Sequence, residues 1–258
     1  NDPDKHVKDE DSTYVGLEEV AEIISLIPLQ TSQLDEVHTA VTSSSGNGYD
    51  EEYTMKHLFE SPGAGVGDEQ TRSAEAYDRP LRELIEDQVR KMHMTRSGED
   101  GLDPDLFLDE LMKSDIQIYW PFSENWDGES LPVITFDPED GSEKNFGYRM
   151  VMEDDGSRRV EEVVVDEAMA EVEPVWVINR NSDAGYATLE MLRREHPDWG
   201  EGGGTIIVRP SGQDQRETRV ESSVKALILK DFTMNRSYDS WFAGASEFFV
   251  KTGAVEDF

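Results

Sequence analysis

The first 114 residues carry apolar side chains at the three-and-four spacing of amphipathic helices. From Leu17 to Ile27 the apolar positions share one side of a helix, with three glutamates opposite them. Pro28 ends this run, and Thr31 or Ser32 is a candidate cap for a second helix. Two short helices joined by a few residues predict a helical hairpin.

Two further helices are predicted before residue 114. One covers Arg79–His93, with Pro80 in its first turn, and the other begins at Asp103, where an aspartate cap is followed by proline. Residues 61–76 are rich in glycine and lack an apolar period, which is typical of a connector.

At Asp115 the apolar period changes from about 3.6 residues to 2, which indicates strands. The strand candidates are Ile116–Trp120, Leu131–Phe136, Phe146–Met152, Arg159–Val165, Val175–Asn179, Thr205–Val208, Val224–Thr233 and Glu247–Lys251. One helix-like segment, Tyr186–Glu195, interrupts them. Short strands separated by turn residues predict an antiparallel β-sandwich-like domain.

The fold class expected from these patterns is therefore α+β. We expect a flexible acidic tether over residues 1–12, a small helical region over 13–114 and a β-rich sandwich-like domain over 115–258. The chain begins at Asn1 rather than at methionine, which suggests that a leader has been removed.

Charge narrows the range of partners. The chain holds 57 acidic and 24 basic residues, for a formal net charge of −33 at pH 7. Such a surface repels phosphate backbones and anionic lipid headgroups, so we expect neither nucleic-acid binding nor direct insertion into a bilayer. With no cysteine in the chain, disulfides, thiolate-bound zinc and a cysteine nucleophile are excluded.

The same charge leads to a first testable prediction. Added NaCl should raise the thermal midpoint in the low-salt range, because the screening length falls to about 10 Å at 0.1 M and weakens the repulsion among excess carboxylates. The check is a thermal melt at increasing NaCl concentration. A flat or falling midpoint would mean that the charges are already paired or well separated.

An aromatic loop after the first strand is the strongest candidate binding site. It combines two tryptophans with polar neighbours, and the candidate residues are Trp120, Glu124, Asn125, Trp126 and Asp127, with Trp199 in a similar stretch. Sugar sites need this combination, because a pyranose has an apolar face and a polar rim. The alternative is that these indoles pack the core and the loop.

Acidic turns give a second candidate site. Asp137, Glu139 and Asp140 cluster near a turn and could supply oxygen ligands to calcium. Turns also favour such residues for their own conformation, so chance clustering is the alternative. No other cofactor is expected: the glycine clusters lack phosphate-loop context, and the five histidines form no metal-binding pair.

Three stretches resemble uncharacterised exported proteins of host-associated, Gram-negative anaerobic bacteria. They are residues 43–53 (SSSGNGYDEEY), 118–127 (IYWPFSENWD) and 238–248 (YDSWFAGASEF). The resemblance implies export to the periplasm or cell surface, behind a signal or lipid-anchor sequence, and a natural chain that extends past Phe258. It implies no activity.

These expectations favour a non-enzymatic exported or surface binding module for a glycan or a protein partner. The alternative is a carboxylate-dependent hydrolase such as a glycosidase, which needs two carboxyl groups at a defined separation. A pocket that contains a carboxyl group of raised pKa would favour the enzyme, and an aromatic platform would favour the module.

Overall fold

A computed structural model of the chain describes residues 15–68, 77–95, 103–153, 155–181, 187–195, 197 and 240–244. The helices in these ranges are α1 (Leu17–Ser25), α2 (Thr31–Gly46), α3 (Met55–Glu60), α4 (Leu81–Thr95), α5 (Pro104–Lys113), α6 (Glu167–Ala170) and α7 (Leu189–Glu195). The strands are β1 (Glu52–Thr54), β2 (Ile116–Tyr119), β3 (Val133–Phe136), β4 (Lys144–Met152), β5 (Arg158–Asp166) and β6 (Val175–Arg180). The α+β class is thus confirmed.

The starts of α2 and α5 are each defined by a hydrogen bond between a side chain and a nearby main-chain N–H group. The predicted start of α5 is confirmed, since the Asp103 side chain accepts a hydrogen bond from the N–H of Asp105 at 3.0 Å. The cap of α2 differs from the prediction: Gln30 precedes the helix, and the side chain of Gln33 accepts from the N–H of Gln30 at 3.0 Å. The strands predicted beyond residue 204 lie outside the described residues.

The sheet is mixed, so the prediction that its strands are all antiparallel is wrong. Its strand order is β1-β2-β6-β3-β4-β5, with β3 and β6 parallel and the other neighbours antiparallel. The described strands form this one sheet and do not show a second sheet packed against it. Periodicity identifies the two faces of each strand but not its neighbours, so the parallel pair could not be read from the pattern.

One strand comes from the region predicted to be helical. β1 pairs with β2 in antiparallel register, with Tyr53 opposite Ile118. Three residues are too few to show alternation, which explains why the strand was not predicted. Because β1 lies between α2 and α3, it ties the helices to the edge of the sheet.

Helices α1–α5 cover one face of the sheet and share a hydrophobic core with it. Buried side chains from both sides of residue 114 meet there, including Leu34, Tyr53, Ile118, Trp120, Ile134, Trp176 and Ile178. The opposite face carries a smaller cluster of Val133, Val165, Ala170, Val175, Val177 and Phe242. Alternate residues of β6 thus enter different clusters, as the pleat of a strand requires.

A carboxylate lies inside the helical side of this core. Glu36 of α2 is fully buried and accepts hydrogen bonds from the Tyr53 hydroxyl at 2.9 Å and from the N–H of Leu81 at 2.8 Å. The Tyr53 hydroxyl in turn accepts from the N–H of Gly63 at 3.0 Å. Glu36 therefore links α2 to β1 and to the first turn of α4, and Tyr53 extends the network to the loop after α3. Burial raises the pKa of Glu36 above its ordinary value.

The first part of the predicted connector, residues 61–68, is bonded to α2 and packs against it. Asp68 accepts hydrogen bonds from the Ser43 hydroxyl at 2.7 Å and from the N–H of Gly65 at 2.9 Å. Gly65 lies so close to α2 that a Cβ atom there would come within 2.5 Å of the Ala40 carbonyl oxygen. Glycine is required at this position because the backbone itself packs against the helix.

Candidate functional site

The aromatic loop, residues 120–130, connects β2 to β3. Its main chain continues the pairing of β2 with β1, since the N–H of Trp120 donates to the Glu51 carbonyl at 2.8 Å. Phe122 then adopts a left-handed conformation with φ of 57°, and Ser123–Asn125 form a single 3-10 turn. These changes of direction bring Trp126 back against Trp120.

Four aromatic rings form one cluster beneath this loop. The ring centre of Trp120 lies 5.3 Å from Trp126, 5.6 Å from Trp176 and 5.5 Å from His38, each in an edge-to-face arrangement. His38 also lies 5.1 Å from Trp126. Such contacts hold the two loop indoles in fixed relative positions.

The loop is one wall of a cleft, which we call the aromatic cleft. The other wall is the segment 170–174, between α6 and β6. The lining residues are Trp120, Phe122, Asn125, Trp126, Asp127, Ser130, Ala170, Glu171, Val172, Glu173 and Pro174, and the cleft has a volume of about 150 Å³. Val172 is 81% exposed at its rim. An ion pair of 2.6 Å between Glu173 and Arg149 of β4 fixes the second wall.

Asp127 has a structural part in this loop. Its carboxylate accepts hydrogen bonds from the N–H groups of Glu129 and Ser130 at 2.9 and 2.8 Å, and from the Ser130 hydroxyl at 2.6 Å. These bonds lower the pKa of Asp127 to about 2. The Trp126 indole N–H donates to the Ser130 carbonyl at 3.0 Å and closes the same turn. Asp127 therefore stays ionised and is not a proton donor at neutral pH.

Most of the predicted binding residues meet in the cleft. Trp120, Asn125, Trp126 and Asp127 line it, although Trp120 is only 1% exposed and contributes mainly as its floor. Glu124 is exposed on the same loop but does not line the cleft. Trp199 lies outside the described residues.

The sequence did not reveal the other contributors. His38 supports both loop indoles from α2, yet nothing near it in the sequence suggests an aromatic partner. The wall of Glu171, Val172 and Glu173 is about 50 residues away along the chain and carries no motif. Phe122 could have been found, since it lies between the two tryptophans.

The predicted calcium ligands have other partners. Asp137 accepts from the N–H of Glu139 at 2.8 Å, and Asp140 accepts from the N–H of Ser142 at 2.9 Å. Glu139 forms an ion pair of 2.8 Å with Arg180. Within the described ranges no three His, Asp or Glu side chains are placed to hold a metal ion.

Carboxyl groups with a raised pKa lie away from the cleft. Burial raises the pKa of Glu36, Glu51 and Asp137, and nearby acidic groups add to the effect at the last two. None of the three lines the cleft. These three carboxyl groups therefore take no part in the aromatic cleft.

Comparison of the chain with protein-family models, with curated proteins and with solved structures found no match. No helix in the described part of the chain combines the length and apolar character needed to cross a membrane.

Proposed function

We propose that the chain is a non-catalytic binding module whose aromatic cleft accepts one sugar residue of a glycan. The observation that carries this proposal is the meeting of the Trp126 indole with Asn125, Ser130 and Glu171 in one open cleft. An indole face suits the apolar side of a pyranose, while the amide, hydroxyl and carboxylate groups suit its hydroxyls.

The size of the cleft supports a small ligand. A volume of about 150 Å³ is below the roughly 300–1,000 Å³ of pockets for drug-sized molecules. It therefore suits a single ring, and a longer glycan would extend past the exposed rim at Val172.

Two of the three acid groups that line the cleft, Asp127 and Glu173, support binding rather than hydrolysis. Asp127 is held ionised by its turn, and Glu173 is paired with Arg149. A retaining or inverting glycosidase would need one protonated carboxyl group beside the scissile oxygen. The hydrolase alternative therefore has less support than the module.

A protein partner is the second candidate ligand, and the exposure of the Val172 side chain favours it. Its side chain is 81% exposed beside the cleft, and a cleft of this size also suits one side chain of a partner. We further propose that the module acts outside the cytoplasm, and the support is the resemblance of residues 43–53, 118–127 and 238–248 to exported proteins.

The test of the sugar proposal is a glycan array followed by titration with the best-bound glycan. We expect Asn125→Ala to weaken that binding at least tenfold, because an exposed amide in the cleft is lost while the buried rings stay in place. Trp126→Ala should abolish binding, since it removes the stacking surface.

Glu124→Ala is the matched control, because Glu124 is also exposed on the same loop but does not line the cleft. It should bind as the unmodified protein does. An array without hits would eliminate the sugar and leave the protein partner, and release of sugar from a bound glycan would favour the hydrolase.

A further inference from the structure

Among the described strands, β5 is the last of the sheet, and its described pairing runs along its whole length on one side. Its register with β4 runs from Asp166 opposite Lys144 to Arg158 opposite Met152. No described strand pairs with its other edge. The strand has neither proline nor lysine, two residues with which proteins commonly protect such edges.

The hydrogen bonding between β4 and β5 defines which main-chain groups of β5 face the edge away from β4, which we call the free edge. The N–H of Glu153 donates to the Ser157 carbonyl at 2.9 Å, so these two residues form a hydrogen-bonded pair. Such pairs recur at every second residue of an antiparallel ladder. The main-chain groups of Arg159, Glu161 and Val163 therefore face β4, and those of the alternate residues point away from the sheet.

The charges at this edge have opposite signs on the two sides of Val160. The sequence is Arg158-Arg159-Val160-Glu161-Glu162, so reading it in reverse exchanges every positive residue for a negative one. Its net charge is zero in a chain whose net charge is −33. Neither Arg158 nor Glu162 forms an ion pair with any residue that the structure describes.

We propose that β5 pairs in antiparallel orientation with β5 of a second copy of the chain, about a twofold axis at Val160. The two Val160 residues then form a hydrogen-bonded pair, because their main-chain groups face the edge. Arg158 of each copy lies opposite Glu162 of the other, and Arg159 lies opposite Glu161. The two sheets join into one continuous sheet, with the same surface of each copy in contact.

Charge favours this register over the two neighbouring ones. Main-chain groups face outward only at alternate residues of β5, and residues of this kind must lie opposite each other for the two edges to bond. The twofold axis can therefore pass through a residue, such as 159, 160 or 161, but not between two residues. An axis at Arg159 places the two Arg159 side chains opposite each other, and an axis at Glu161 does the same for two glutamates. Like charges opposite each other destabilise a strand pair, whereas the Val160 axis gives opposite charges at every charged position from 158 to 162.

The test is sedimentation velocity on the full chain, from micromolar to near-millimolar concentration, in about 0.15 M NaCl, where the screening length of about 8 Å limits the general repulsion. We expect a monomer–dimer equilibrium. A chain that stays monomeric throughout this range overturns the proposal.

Two charge-reversal variants test the register. Arg158→Glu with Arg159→Glu, and separately Glu161→Arg with Glu162→Arg, should each be monomeric, because every opposed pair becomes a like-charge pair. An equimolar mixture of the two variants should form a heterodimer, since opposite charges then face each other again. Dimerisation of either variant alone, or no heterodimer in the mixture, overturns the proposal.

Val160→Pro tests the backbone pairing separately. Its N–H faces the free edge, so proline there removes no bond to β4 and is tolerated at an edge strand. We expect loss of the dimer with unchanged far-ultraviolet circular dichroism. A folded Val160→Pro variant that still dimerises would overturn the edge pairing.

Discussion

Trp120→Ala should lower the free energy of unfolding by about 3–5 kcal/mol, the usual cost of truncating a large buried aromatic side chain. The indole is 1% exposed and contacts the rings of His38, Trp126 and Trp176. Its removal leaves a cavity where the helices meet the sheet. The measurement is equilibrium unfolding in urea, followed by circular dichroism.

Trp126→Ala is the matched control, because Trp126 belongs to the same ring cluster but is only half-buried. We expect it to cost clearly less stability than Trp120→Ala. A loss below about 1 kcal/mol for Trp120→Ala would contradict the packing described for the loop.

Glu36→Ala should lower the free energy of unfolding by about 2–6 kcal/mol. Two buried donors, the Tyr53 hydroxyl and the Leu81 N–H, lose their acceptor, and each unsatisfied group costs about 1–3 kcal/mol. Asp35→Ala, one residue earlier on the exposed side of α2, is the control and should change stability little. Similar losses for the two variants would exclude the buried network as the cause.

The pH dependence of the same site gives a second measurement. Burial raises the pKa of Glu36 in the folded state above the ordinary 4.5, so the folded protein binds this proton more tightly than the unfolded chain. That contribution to stability is complete below pH 4.5 and is lost as the pH rises through the folded-state pKa. Relative to Glu36→Gln, the unmodified protein should therefore become less stable over that interval; a constant difference would contradict the assignment.

Sequence patterns predicted the elements with long, regular apolar periods. The stripe of α1 is confirmed, because its predicted apolar side chains are buried. In β2, Ile116 and Ile118 enter the main core as predicted, although Gln117 between them is buried too. Trp120 was likewise expected inside from its alternation with Ile116 and Ile118, and it is buried. These predictions succeed because each depends only on neighbouring residues of one element.

Features that depend on distant partners were not predictable in this way. Glu36 looks like an ordinary helix-surface acid until Tyr53 and Leu81 are placed beside it. Likewise, Glu171 and Val172 become part of a candidate binding site only because the segment after α6 lies opposite the aromatic loop in the fold. In both cases the chemistry arises from contacts between segments that no local pattern encodes.

The position of β6 has a consequence for the order in which the sheet can form. β6 lies between β2 and β3, although it follows both in the chain. Before residues 175–180 are synthesised, β1 can pair with β2, and β3 can pair with the β4–β5 hairpin, but no strand pairing joins the two groups. Completion of the sheet on the ribosome therefore waits for β6, and until then the edges of β2 and β3 that β6 will pair with are open to chaperones and to aggregation.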